Sequence, residues 1–114
     1  MKNTLLLTLF AAGLAACGSK PVPPDWKANA NGSLASFSSL YLKGDTGAAD
    51  TEFKRARIEM ASTGRPDLVA HAELYRCATR AASLDYDDCP GFAALAQDAT
   101  ASERAYAAYL AGNW

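Results

Sequence analysis

Glycine, proline and acidic breakers recur along this chain at intervals that leave room for short helices and little else. Gly44 stops one segment and Gly64 a second, while Asp85-Tyr86-Asp87-Asp88 breaks a third; Pro66 and Pro90 each sit where a new segment opens. A glycine just past a helix accepts the left-handed conformation that ends it, and a proline in a first helical turn removes no needed hydrogen bond. Between the breakers, apolar residues return every three or four positions, the spacing of a helix with one buried face.

Asp25 is placed to cap a first helix carrying Trp26, Ala30, Leu34, Phe37, Leu40 and Tyr41. Asn29-Ala30-Asn31-Gly32-Ser33 predicts an interruption there or a late start near Gly32 or Ser33. A second helix is expected over 46–63, burying Ala49, Phe53, Ala56 and Met60. A third opens at Pro66 and buries Leu68, Ala72, Tyr75, Ala78 and Ala82. Pro90 opens a short fourth with Phe92, Leu95 and Ala96. Thr100-Ala101-Ser102-Glu103 spells a capping box, so a fifth begins there, carries Ala105, Tyr106, Tyr109 and Leu110, and reaches Gly112. No alternating run is long enough for a strand. The expected fold is all-α, a small domain of four to five short helices over 25–114. Its core is expected to comprise Phe37, Leu40, Tyr41, Phe53, Met60, Leu68, Tyr75, Phe92, Leu95, Tyr106 and Leu110.

The first residues follow a different plan. Lys2 precedes an apolar run from Leu5 to Phe10, and small residues follow up to Ala16. This is the layout of a secretory signal, too short for an ordinary membrane span. Leu14-Ala15-Ala16-Cys17 resembles the lipobox of bacterial lipoprotein precursors at every position. The resemblance implies diacylglycerol on the Cys17 sulfur, cleavage before Cys17 and an acyl chain on the new amino terminus. Three acyl chains would anchor firmly, since one alone binds only marginally. In proteobacterial lipoproteins an aspartate after the cysteine commonly signals inner-membrane retention; Gly18 stands there instead, which favours the outer membrane, facing the periplasm. Gly18-Ser19-Lys20-Pro21-Val22-Pro23-Pro24 has little to bury, and its prolines favour an extended form, so residues 17–24 read as a lipidated cysteine and tether.

Cleavage would leave residues 17–114, a chain of 98 residues with 10 basic and 12 acidic side chains. A single domain of that size folds with a limited margin. The near-neutral, scattered charge supports neither a nucleic-acid footprint nor a polybasic membrane patch.

Leu40-Tyr41-x-x-Gly44-Asp45, followed by Ala49, Phe53 and Ala56, resembles the middle of a tetratricopeptide repeat, over residues 33–66. There, large residues end a first helix, glycine makes the turn, and small and aromatic residues pack a second helix back. Tyr109-Leu110-Ala111-Gly112-Asn113-Trp114 echoes Tyr41-Leu42-Lys43-Gly44-Asp45. Ser33 and Phe37 depart from the family's Trp and Gly, Pro66 falls about five residues late, and no second full repeat follows. The resemblance implies a helical hairpin and transfers no binding residues.

With Cys17 assigned to lipid, Cys77 and Cys89 remain, and two cysteines in an exported domain are expected to form a disulfide. A redox pair and metal ligands are the competing readings. The spacing is not Cys-x-x-Cys, and His71, the one histidine, lies six residues before Cys77, about 240° around a helix. Asp85, Asp87 and Asp88 lack the central glycine and closing glutamate of a calcium loop. They read as a solvated acidic loop that also serves the start of the fourth helix. His71, Glu73 and Arg76 imply no nucleophile, and Ser36, Ser38 and Ser39 read as polar helix positions. No catalytic constellation, cofactor motif, small-molecule substrate site or nucleic-acid motif stands out. The expected role is therefore a lipid-anchored interaction or accessory module of the cell envelope with a protein partner. The alternatives are an envelope-structural, peptidoglycan-associated protein and a small enzyme or inhibitor.

Overall fold

The computed structural model describes Gly18 and residues 20–113; the expected leader, Cys17 and Trp114 lie outside them. Every regular element among the described residues is an α-helix: α1 (Asp25–Leu42), α2 (Thr46–Ala61), α3 (Pro66–Ala82), α4 (Pro90–Ala93) and α5 (Ala101–Leu110). The domain is all-α, as the punctuation predicts. Residues 20–24 are exposed and without regular structure. No helix among the described residues is long and apolar enough to cross a membrane.

Two expectations about α1 are corrected. Pro24 occupies the capping position, and Asp25 lies in the first turn, where its charge faces the unsatisfied N–H ends. The helix also runs unbroken through Asn29 and Gly32. A mid-helix glycine costs about 1 kcal/mol relative to alanine. Burial of Ala30, Leu34 and Phe37 on the α2 side of the core outweighs it, and Asn29 Nδ2 donates to Glu59 Oε1 of α2 at 3.3 Å.

The α1–α2 turn closes at Gly44, whose φ of 88° lies in the left-handed region. Asp45 then caps α2 by accepting the Ala48 N–H at 3.1 Å. Ala49, Phe53, Ala56 and Met60 are buried, as their spacing predicts. The helix ends two residues earlier than expected, because Ser62 and Thr63 turn back with their hydroxyls on the carbonyls of Glu59 and Met60.

The third helix is the organising element, and it is buried on two sides. Val69 and Ala72 join the α1–α2 core of Leu34, Phe37, Phe53 and Met60. Ala70 and Leu74 turn to a second cluster with Phe92 and Ala99. The single stripe expected for this helix is therefore corrected: Leu68 and Tyr75 are only half-buried, and Ala82 is exposed.

The fourth helix is a single turn, so Leu95 and Ala96 fall in the irregular turns after it, still packed on the second cluster. Arg104 braces those turns through the Ala99 carbonyl. The Thr100–Glu103 capping box forms in full. Along α5, however, Ala107 and Leu110 face inward while Tyr106 is 46% exposed. Tyr106 is thus removed from the core.

Candidate functional site

The end of α3 and the loop after it gather the chain's polar and sulfur chemistry. Arg80, in the last turn of α3, reaches forward to both carboxylates of the acidic loop. Its Nε donates to Asp85 Oδ2 at 3.0 Å and its Nη1 donates to Asp87 Oδ2. Tyr41 of α1 donates its hydroxyl to the same Asp85 oxygen. Arg80 first, and then Tyr41, hold the Asp85 carboxyl below its ordinary range, while the bond to Asp85 pushes the Tyr41 hydroxyl up. The acidic loop is exposed, as expected, and two of its three aspartates are in addition clamped by Arg80. Their role at α4 is different. Asp87 Oδ1 accepts the Cys89 N–H at 2.9 Å, and Cys89, left-handed at φ 47°, occupies the α4 capping position without a side-chain cap.

This turn returns Cys89 to α3. Cys77 and Cys89 stand at disulfide distance, with Cα atoms 5.7 Å apart, inside the range such a bond requires. Asp87 Oδ1 lies 3.9 Å from Cys77 Sγ. A small cleft of about 70 Å³ opens beside the sulfurs, bordered by Glu73, Arg76, Arg80, Asp87, Gly91 and Phe92.

Glu73 is a functional-looking group whose setting only the folded chain reveals. It is 8% exposed on α3, and its Oε1 accepts from Arg57 Nε of α2 at 2.8 Å. Gly91 of α4 packs directly on this carboxylate: a methyl group at Gly91 would lie 2.1 Å from Glu73 Oε2. The pair belongs to the packing between helices, because a buried carboxylate without its cation would be costly. The trio weighed from sequence does not converge. His71 Nδ1 meets Glu103 Oε1 at 3.0 Å, Glu73 meets Arg57, and the Arg76 guanidinium lies over the Phe53 ring, 5.1 Å from its centre.

The His71–Glu103 contact ties α3 to α5 and gives a pH prediction. Burial pushes the Glu103 carboxyl up, but the Thr100 N–H, His71 and the Thr100 hydroxyl together hold it below its ordinary value. A depressed carboxylate contributes stability above its unfolded-state pKa of about 4.3, and that contribution is lost as pH falls through the lower folded value. Urea unfolding of Glu103→Gln should show its largest deficit against wild type above pH ~5 and a shrinking one below pH ~4. A deficit constant across that range would refute the linkage.

The second candidate surface is an open groove of about 440 Å³ between the end of α3 and α5. Ala78, Ala81 and Ala82 line it from α3 and Tyr106 and Tyr109 from α5, with Tyr86 of the loop between them in the chain. The Tyr106 and Tyr109 rings stack at 6.1 Å, with 14° between planes. Asp87 and Asp88 line an adjoining hollow that shares Tyr86, Leu110 and Gly112 with the groove. Aromatic spacing on α5 signals this wall, although sequence reading assigned Tyr106 inward. Compared with known protein families, curated proteins and solved structures, the chain matches none.

Proposed function

We propose that this chain is a lipid-anchored accessory protein of the bacterial envelope, facing the periplasm from the outer membrane, whose helical domain docks a protein partner. The observation that carries the docking role is the groove between α3 and α5. It is lined by tyrosine rings and alanines, and aromatic side chains are where binding energy at interfaces concentrates. Beside the groove, Asp87 and Asp88 line the adjoining hollow, and Arg80 pairs with Asp85 and Asp87 while Asp88 is exposed, which leaves the neighbouring loop acidic. The partner that fits is an envelope protein presenting an apolar segment flanked by basic side chains. The anchor rests on Leu14-Ala15-Ala16-Cys17, and the exposed proline-rich residues 20–24 are suited to hold the domain away from the lipid. The resemblance to a tetratricopeptide hairpin is consistent with an interaction role and adds no contact residues.

One preparation tests both parts. Protein recovered from bacterial membranes should have lost residues 1–16 and gained acyl mass, and Cys17→Ser should gain none. Recovery of unmodified wild-type chain would sink the anchor. In a membrane pull-down, the partner captured by the lipidated protein should be lost with Tyr86→Ser/Tyr106→Ser, with helical content unchanged, and should weaken with salt. A partner retained by that variant, or binding to purified peptidoglycan alone, would move the role away from the groove.

A further inference from the structure

We infer that Cys77, Cys89 and Asp87, in the dithiol form of the protein, constitute a binding site for a soft divalent cation such as zinc. One ligand atom from each, the two sulfurs and a carboxylate oxygen, lie within 4.8 Å of one another. Tetrahedral zinc, with bonds of ~2.3 Å to sulfur and ~2.1 Å to oxygen, sets ligand-to-ligand edges of roughly 3.5–3.8 Å. Asp87 Oδ1 is already 3.9 Å from Cys77 Sγ. The Cα separation of 5.7 Å lets the two sulfurs part to such an edge by side-chain rotation.

The carboxylate is divided between two tasks. Arg80 takes Oδ2, while Oδ1 accepts the Cys89 N–H and faces the sulfurs. Arg80 thereby orients the ligand as outer partners of metal sites do. Two thiolates and the Asp87 carboxylate bring three negative charges; a divalent cation offsets two of them, and the Arg80 guanidinium, shared with Asp85, lies beside the remainder. The cleft beside Cys77 and Cys89 has room for a water in the fourth position. Tyr41 and Arg80 also hold the loop through Asp85, so the ligands stay together when the sulfurs are not joined.

Disulfide and metal site are alternative states of the same two atoms. A dithiol reductant converts one into the other. Its two thiols become a disulfide, their electron pair breaks the Cys77–Cys89 bond, and their two protons pass to the cysteines. Metal binding then releases those protons to solvent.

The test uses the full chain in detergent with Cys17→Ser, so that only Cys77 and Cys89 carry thiols. The protein is reduced with a dithiol, freed of it without air, and titrated with cadmium. One equivalent should give a thiolate-to-cadmium ultraviolet band, and zinc should displace it; the oxidised protein should give none. Asp87→Asn, which keeps both thiols but replaces a direct carboxylate ligand, should bind more weakly by at least roughly the 10–100-fold that loss of an outer partner costs. Absence of the band would overturn the site, and equal binding by Asp87→Asn would overturn the three-ligand assignment. Circular dichroism covers the case in which reduction loosens the fold. Zinc must then restore helix to the reduced Cys17→Ser protein, and its failure to do so counts against the site.

Discussion

Replacing Phe53 with alanine is expected to lower the free energy of unfolding by about 3–5 kcal/mol. The ring is 3% exposed and is the point where three helices meet. It belongs to α2, lies 5.4 Å from the Phe37 ring of α1, and carries Arg76 of α3 over its face. Phe37 in turn contacts Tyr41 at 5.8 Å and Tyr75 at 6.5 Å. Alanine would remove the apolar burial, leave a cavity beside Phe37, and leave Arg76 with no ring beneath it. Surrounding side chains close such cavities only in part. Domains of ordinary stability hold about 5–15 kcal/mol in total, so the variant should be near its unfolding threshold at modest urea. Phe53→Leu should recover part of the loss. Chemical denaturation of the two variants beside wild type measures this directly, and a cost below ~1 kcal/mol for alanine would show that the three-helix junction is not the main core.

That junction was largely legible in the sequence, and the reason is local. Ala49, Phe53, Ala56 and Met60 face a single neighbour layer, so one stripe at helical spacing describes their burial. The same logic failed on α3, which serves two cores at once. Val69 and Ala72 face one cluster and Ala70 and Leu74 the other, so no single stripe exists there to be read. It failed on α5 for another reason. Large rings drew the predicted face toward Tyr106, whereas packing against the cluster of Ala70, Leu74, Phe92 and Ala99 selects the small Ala107 together with Leu110.

The polar chemistry was legible only where it is short-range. The Thr100–Glu103 capping box is written within four residues and forms as written. The setting of Glu73 depends on Arg57 from α2 and Gly91 from α4, distant in sequence, so nothing near position 73 announces it. The Arg80 clamp is intermediate. The aspartates are visible as a cluster, but Tyr41, 44 positions before Asp85, is what links the loop back to α1.

Loss of the Cys77–Cys89 bond is expected to reduce stability by roughly 3 kcal/mol, the chain-entropy value for a loop of about that size, while leaving the domain helical. The closed loop joins α3 to α4, and Cys77 is itself 7% exposed, so both ends are embedded in structure that the link restrains. The α1–α2–α3 core does not include either cysteine, which is why helix should survive. What loosens is the second cluster. Phe92 follows Cys89 by three residues and packs with Ala70, Leu74 and Ala99, and without the covalent link its position depends on that packing and on the pairing of Arg80 and Tyr41 with the loop aspartates. Cys77→Ser/Cys89→Ser should therefore unfold at lower urea with nearly unchanged far-ultraviolet dichroism, and amide exchange should accelerate most over 84–99 and least over α1 and α2. Thiol labelling of the unfolded, unreduced wild-type domain should find neither sulfur free. Labelling of both cysteines in protein isolated without reductant would refute the bond, and uniform loss of amide protection across α1–α3 would place the link in the main core instead.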